Sequence, residues 1–157
     1  MYYSFIIREA NVSDAEAIYA ILQTSFKEYQ EATGITDLEA LKETVEDVRE
    51  QIKLKTVYIA AIDDKVVGTL RLSIRNDEAY LSRFAVDPKN RNSGIGELLM
   101  TVADKFLKDQ GVKKITLHTS SKHISLMRFY YGRGFYVESI ETDRGYPRAK
   151  LTKELNY

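Results

Sequence analysis

The stretch Arg91-Asn92-Ser93-Gly94-Ile95-Gly96 decides the fold of this chain. It lies between a strand-like run, residues 79–86, and an amphipathic run, residues 95–107, so a strand turns through glycines into a helix. Such a turn leaves backbone N–H groups of the first helical turn without intrahelical partners, and the helix dipole adds partial positive charge there. Two glycines allow a ligand close to the main chain, and Arg91 can add a side-chain donor. The stretch therefore predicts a seat for a phosphate-bearing ligand.

The composition indicates one globular domain spanning residues 1–157, with 44% hydrophobic and 29% charged residues. The net charge is zero, so no overall field attracts the chain to nucleic acid or to an anionic membrane. There is no cysteine, which favours a reducing compartment, and we expect the cytoplasm. The first residues do not resemble a signal peptide, and no apolar run reaches the ~18 residues of a membrane span. We therefore expect no nucleic-acid partner and no membrane partner.

Hydrophobic periodicity in the first half predicts a strand, two helices and an antiparallel meander. The first strand covers residues 5–8. Capping-box patterns at Ser13–Glu16 and Thr36–Glu39 open the two helices, and Gly34 ends the first of them. The three strands of the meander are expected at residues 57–62, 66–74 and 79–86.

The second half predicts a helix, a strand, a second helix and two closing strands. The first of these helices, residues 95–107, ends near Gly111, and the second runs to about Tyr131. The strands are expected at residues 113–118, 135–140 and 149–155. A helical crossover makes the fourth and fifth strands parallel. The fold class is therefore α/β, with a mixed, mostly antiparallel sheet of about seven strands and four helices on both faces.

This order, with Arg-x-x-Gly-x-Gly opening the third helix, resembles the GNAT superfamily of acetyl-CoA-dependent N-acetyltransferases. An independent motif supports the resemblance: residues 123–130, followed by residues 131–135, are similar to the family pattern Asn-x-x-Ala-x-x-x-Tyr and then x-x-x-Gly-Phe. Residues 84–88 resemble the end of the family's fourth strand. His123 stands where the family usually has Asn, and Leu126 where it often has Ala. The resemblance covers essentially the whole chain.

The resemblance implies acetyl-CoA as co-substrate, with its pyrophosphate on the glycine turn and its pantetheine arm along the end of the fourth strand. It also implies a bulge that splays the fourth and fifth strands into a V and frees backbone N–H groups for the developing oxyanion. No metal is expected, since the sequence has neither H-E-x-x-H nor cysteine ligands. The expected cofactor contacts are Phe84, Ala85, Val86, Arg91, Asn92, Ser93, Gly94, Ile95, Gly96, Glu97, Leu98, His123 and Tyr130.

For catalysis, the resemblance implies that Tyr130 is the general acid, because a phenol is protonated at neutral pH and can supply a proton to a thiolate. The base has several candidates. Tyr80 stands where some members of the family carry a carboxylate on the fourth strand, and Glu78 is two residues earlier on the same strand face. A chain of water molecules is an alternative. His118 is interpreted as a packed or edge residue of its strand.

The expected function is acetyl transfer, by direct attack in a ternary complex, to a primary amine of a small molecule or peptide. Family resemblance places the acceptor between residues 26–38 and residues 142–148. The first segment offers side chains that suit a cationic amine, namely Glu28, Tyr29, Glu31 and Asp37. Arg144 and Arg148 in the second segment suit a carboxylate or phosphate instead, so the acceptor stays open. A homodimer is a habit of the family, and the alternative function is a non-catalytic acyl-CoA-binding sensor or scaffold.

Overall fold

A computed structural model describes residues 4–155, and the expected domain limits, residues 1 and 157, lie outside them. Its elements follow the predicted order of strand, two helices, three strands, helix, strand, helix and two strands. The strands and α-helices are β1 Phe5–Glu9, α1 Ala15–Thr33, α2 Val45–Leu54, β2 Thr56–Ile62, β3 Lys65–Arg75, β4 Glu78–Val86, α3 Ile95–Asp109, β5 Lys114–Ser120, α4 Ile124–Gly132, β6 Tyr136–Glu141 and β7 Arg148–Glu154.

The seven strands form one sheet in the order β1-β2-β3-β4-β5-β7-β6. Among the strands of residues 4–155, only β4 and β5 pair in parallel, and α3 is the crossover that connects them. The β-strand pairs on either side are antiparallel. The predicted mixed sheet with a parallel step in the middle is therefore confirmed.

Side chains on both faces of the sheet are buried, as the alternation along β2 illustrates. Ile59 points into a core formed with α1 and α2, where Ile18 and Val48 are fully buried. Its neighbour Ala60 belongs to the opposite core, where Leu99 of α3 packs together with residues of α4. Strand side chains alternate in direction, so two separate cores require helices on both faces, as predicted.

The helix starts differ from the predicted capping boxes. The first box is formed by Asn11 and Asp14, and a short 3₁₀ turn then leads into α1, so the predicted Ser13–Glu16 box is wrong. The second box is formed by Thr44 and Asp47, whereas residues 36–39 lead only into a short 3₁₀ helix, Glu39–Lys42, without a side-chain cap. In a capping box, Asn can take the place of Ser or Thr, and Asp can take the place of Glu. Because the pattern expected Ser or Thr followed by Glu, residue type alone selected the wrong positions.

A bulge in β4 opens the sheet. Arg83, in a left-handed backbone conformation with φ of 52°, stands with Phe84 opposite the single residue Leu70 of β3. On the other side, the pairing of β4 with β5 ends at Tyr80 and Thr116, although both strands continue beyond these residues. The splay expected between the fourth and fifth strands is therefore present, and it creates the space for a site.

Candidate active site

A cleft of about 880 Å³ occupies the opening between β4 and β5. At one end it reaches the loop before α3 and that helix's first residues, 90–97, which we call the turn end. At the other end it reaches five cationic side chains, which we call the basic end: Lys55, Arg71, Arg83, Arg144 and Arg148. A ligand that binds at the turn end can therefore extend along the cleft towards the basic end.

Gly94 shapes the turn end. Its φ of 86° is a left-handed conformation that favours glycine, and its carbonyl accepts the N–H of Leu98 at 3.0 Å. A side chain added at Gly94 would meet no atom within 4 Å, so this corner is open. The N–H groups of Ile95 and Gly96 precede the first intrahelical bond and have no helical acceptor. The residues present therefore fit a pyrophosphate.

Gly96 allows close packing against aromatic rings. A Cβ there would lie 3.1 Å from Cζ of Phe84 and 3.6 Å from the ring of Phe129. These two rings stack on each other with centroids 5.5 Å apart. The second glycine of the motif therefore allows α3 to approach an aromatic pair in the wall of the cleft.

Arg91 is engaged with α1 rather than directed freely into the turn. Its guanidinium forms an ion pair with Glu28 and donates to Oγ of Ser25 at 3.2 Å, and burial lowers its pKa. Asn92 has a left-handed φ of 60°, and the Ser93 hydroxyl donates to a backbone carbonyl of the same loop. The Arg91 side chain therefore joins the loop to the first helix.

The other predicted cofactor contacts divide into two groups. Ser93 and Leu98 do not line the cleft, and Leu98 is about half exposed. The remaining ones do line it: Phe84, Ala85, Val86, Arg91, Asn92, Gly94, Ile95, Gly96, Glu97, His123 and Tyr130.

His123 caps α4. Its Nδ1 accepts the N–H of Leu126 at 3.4 Å, and its ring stacks on Tyr29 with centroids 5.2 Å apart. Burial lowers the pKa of His123, with the positive charge of Arg91 acting in the same direction. A neutral ring that accepts at Nδ1 carries its proton on Nε2, which leaves one donor besides the cap.

Tyr130 lies at the back of the cleft with 5% of its surface exposed. The rings of Phe84, Phe129 and Phe135 surround it. Burial raises the pKa of the Tyr130 phenol well above its ordinary value. Tyr130 is therefore protonated at neutral pH and can act only as a proton donor until it has given its proton away.

Tyr80, His118 and Glu141 form a hydrogen-bonded chain beside the cleft. The Tyr80 hydroxyl lies 2.7 Å from Nδ1 of His118, and Nε2 of His118 lies 2.5 Å from Oε2 of Glu141. With Nε2 donating its proton to the carboxylate, Nδ1 is the ring nitrogen left to accept from Tyr80. Burial raises the pKa of Tyr80. The arrangement can move a proton from the phenol to the imidazole.

His118 and Glu141 were missed in the sequence. The sequence favours a packed or edge position for His118, and it does not single out Glu141. The β4–β5 register places Tyr80 opposite Thr116, and His118 is two residues further along the same face. The register of β4 on β5 is therefore the information that places His118 beside Tyr80.

Glu78, the other candidate base, lies away from this group. It forms an ion pair with Lys114 at 3.2 Å, its side chain is half exposed, and it does not line the cleft. The structure brings together Tyr80 and Tyr130, which both line the cleft, but it does not bring Glu78 to them.

The basic end is held by a carboxylate between two guanidinium groups. Glu43 accepts from Arg71 at 2.8 and 3.1 Å and lies 3.4 Å from Arg83. Arg71 is buried. Burial favours the neutral form of Glu43, but the two arginines outweigh it and hold the pKa of that carboxyl below its ordinary value. Lys55 lies nearby, and burial followed by the two arginine charges lowers its pKa.

Among residues 4–155, no three His, Asp or Glu side chains converge as metal ligands would. Over the same residues, no helix combines the length and the apolar character that crossing a bilayer requires.

Comparisons with known proteins agree on one family. The sequence model of the acetyltransferase (GNAT) family matches residues 15–135. A spermidine N(1)-acetyltransferase of Thermoplasma acidophilum is 27% identical over 148 residues, which cover 88% of this chain and 92% of the relative.

Solved structures show the same fold. The paia N-acetyltransferase of T. acidophilum, in complex with coenzyme A, superposes with a TM-score of 0.85 at 23% identity and covers 96% of this chain and 99% of its own. The ribosomal-protein-S18-alanine N-acetyltransferase of Escherichia coli gives a TM-score of 0.79 at 18% identity, with coverage of 98% and 96%. The matched residues include both glycine motifs and most of the cleft. The chain therefore belongs to the acetyltransferase (GNAT) family, and the enzyme class expected from its sequence, an acetyl-CoA-dependent N-acetyltransferase, is confirmed.

Proposed function

We propose that this protein transfers the acetyl group of acetyl-CoA directly to a primary amine while both substrates are bound. The observation that carries the proposal is the cleft itself, which connects the open first turn of α3 with Tyr130 and Tyr80. Relatives that act on spermidine and on a ribosomal-protein alanine, and a fold neighbour that holds coenzyme A, support the proposal.

The turn end would hold the pyrophosphate through main-chain donors. The N–H groups at the start of α3 point one way, and the helix dipole reinforces them. Beyond Tyr80, β4 has no strand pairing with β5, so its backbone is available to an extended pantetheine arm. An N–H group among Phe84, Ala85 and Val86 would face the oxygen that gains charge during the reaction.

Tyr130 would protonate the leaving group. Bound acetyl-CoA supplies a thioester, whose carbonyl carbon accepts the amine and whose sulfur leaves as a thiolate. The Tyr130 phenol is protonated because of its burial, and it gives that proton to the sulfur. The proton that the nitrogen loses after the C–N bond forms restores the phenol, directly or through solvent.

Tyr80 and His118 would remove the first proton from the acceptor. An alkyl ammonium has a pKa near that of lysine, about 10, so most of it arrives charged. The Tyr80 oxygen takes the proton, directly or through water, while its own proton moves to Nδ1 of His118. Glu141 stabilises the imidazolium that results. This path gives the reaction a base without Glu78.

The test measures coenzyme A release with a panel of primary amines, together with acetyl-CoA binding by calorimetry. Tyr130→Phe is expected to lower kcat on the order of a hundredfold with acetyl-CoA affinity unchanged, because only the proton donor is lost. Tyr131→Phe is the matched control, since Tyr131 is adjacent but half exposed. Tight binding of acetyl-CoA without turnover on any amine would instead identify a non-catalytic acyl-CoA-binding module.

A further inference from the structure

Cationic side chains outnumber carboxylates at the basic end of the cleft. Arg71 and Arg83 share the single carboxylate of Glu43, with Arg71 at 2.8 Å and Arg83 at 3.4 Å. Lys55 lines the same wall, and burial together with both arginine charges lowers its pKa. One carboxylate among three cations leaves an excess of positive charge in a partly buried place, where screening by solvent is weak.

The opposite wall adds two more guanidinium groups. Arg148 is buried, and the nearest acidic oxygen in its ion pair, on Asp143, is 3.9 Å away in an exposed side chain that does not line the cleft. Arg144 lies in the loop that leads from β6 to Arg148 at the start of β7, and it also lines the cleft. Burial raises the pKa of Tyr80, and the charges of Arg148, Arg144 and Arg83 oppose that shift. All three cations therefore act on the place where the acceptor amine would lose its proton.

The acidic residues that favour a cationic acceptor are already neutralised or lie elsewhere. Asp37 and Glu39, which also line the cleft, share Lys42 at 2.8 and 3.5 Å, and their side chains are 81% and 60% exposed, where solvent screens their charge. Glu28 pairs with Arg91. Glu31 does not line the cleft. In the folded chain, the arginines that suit an anionic group therefore outweigh, at the reaction site, the acidic side chains that suit a cationic amine.

We propose that the acceptor is a primary amine that also carries an anionic group, a carboxylate or a phosphate, and that Arg83, Arg144 and Arg148 bind this group. The inference rests on the proposed function and names its substrate class. Positive potential beside Tyr80 favours the neutral form of the amine, which is the form that attacks. The same potential repels a polyamine, so the acceptor of this enzyme differs from the spermidine in the name of its relative.

The experiment compares amines that differ only in the anion. One pair is phenylalanine and phenethylamine, which differ by a carboxylate. The second pair is phosphoethanolamine and ethanolamine, which differ by a phosphate, and spermidine is the polycationic probe. The anionic member of at least one pair is expected to have a kcat/KM roughly tenfold to a hundredfold higher, the usual effect of hydrogen bonds to a charged group. The pair that shows the preference tells carboxylate from phosphate.

Two variants test whether the arginines cause the preference. Arg144→Gln is the decisive one, because Arg144 is exposed and its replacement leaves the buried Arg148 in place. It is expected to raise KM for the anionic amine about tenfold, with little change in kcat or in the KM of the partner amine that lacks the anion. The matched control is Arg75→Gln at the exposed end of β3, outside the cleft, which is expected to leave every value unchanged.

Calorimetry of the coenzyme A-loaded protein with the same pairs separates this inference from the proposed function. Tighter binding of an anionic amine, weakened in Arg144→Gln, supports the anion subsite even if no coenzyme A is released, in which case only the proposed function fails. Equal binding of both members of each pair overturns the subsite, whatever the turnover. A preference for spermidine, or a preference for the anion that is as large in Arg144→Gln as in the wild type, overturns it as well.

Discussion

The two ends of the cleft are built in different ways. The turn end comes from one continuous segment, residues 90–97, and offers mainly main-chain N–H groups. The basic end collects side chains from the end of α2, from β3 and β4, from the loop between β6 and β7 and from the start of β7. Main-chain donors tolerate changes of side chain, whereas a site of converging side chains depends on every partner. We therefore expect substitutions to act differently at the two ends.

The largest effect is expected from Glu43→Gln. This change removes the carboxylate that bridges Arg71 and Arg83 and leaves a buried guanidinium without its countercharge, so the free energy of unfolding should fall by roughly 3 kcal/mol at pH 7. The pKa of Glu43 lies below its ordinary 4.5, so the folded state gains from the ionised form at higher pH and loses this gain as the pH falls through the folded pKa. Urea unfolding between pH 7 and pH 3 measures both.

The difference between wild type and Glu43→Gln should therefore be full at neutral pH and shrink below about pH 4. Glu46→Gln is the control, since Glu46 is an exposed residue of α2 whose ion pair with Arg49 contributes little, ~0–0.5 kcal/mol. Equal losses in the two variants would contradict a special role for the buried bridge.

The next effect concerns catalysis by Tyr80 and His118, on which the charges of the basic end act. His118→Ala is expected to lower kcat on the order of a hundredfold, because the proton of Tyr80 then has no acceptor, while acetyl-CoA affinity at the turn end is unchanged. Tyr80→Phe should cost about as much, since the two groups act as one relay. Steady-state kinetics with calorimetry of acetyl-CoA measures both.

The double variant Tyr80→Phe/His118→Ala sharpens this test. In a relay, the second substitution removes nothing further, so the double variant should be close to either single one. Losses that multiply would show that the two residues act independently and would contradict the relay.

The same contrast explains what the sequence could predict. Periodicity and glycines reveal the order of the elements, the parallel step and the turn at residues 91–96, because each signal lies within one short segment. The Tyr80–His118–Glu141 chain requires the register of β4 on β5 and the position of β6, which no local pattern contains. Arg71 appears in the sequence as an ordinary polar strand position, and only the approach of Glu43 from before α2 makes its burial possible.

A smaller effect distinguishes the two glycines of the turn. Gly94→Ala should lower the free energy of unfolding by about 1 kcal/mol, because alanine must adopt a left-handed backbone there. Gly96→Ala should change it by less, since the gain of about 0.5–1 kcal/mol from alanine in a helix offsets the push of a Cβ on Phe84. Thermal or urea unfolding of both variants decides the order. A greater loss at Gly96 would mean that the Phe84 ring cannot move.

The smallest effect is expected from Arg91→Gln, and it tests whether main-chain or side-chain groups hold the phosphates. Arg91 is occupied by Glu28 and Ser25 of α1, and both charged side chains of the pair are about 40% exposed, so its loss should cost no more than ~1 kcal/mol. If the N–H groups of α3 bind the pyrophosphate, coenzyme A affinity should fall less than about fivefold, with little change in its salt dependence. Calorimetry at two salt concentrations measures this. A loss of more than about tenfold that diminishes at high salt would mean that Arg91 leaves Glu28 to bind the ligand. In that case both ends of the cleft would depend on side chains, and they would differ only in how strongly they do so.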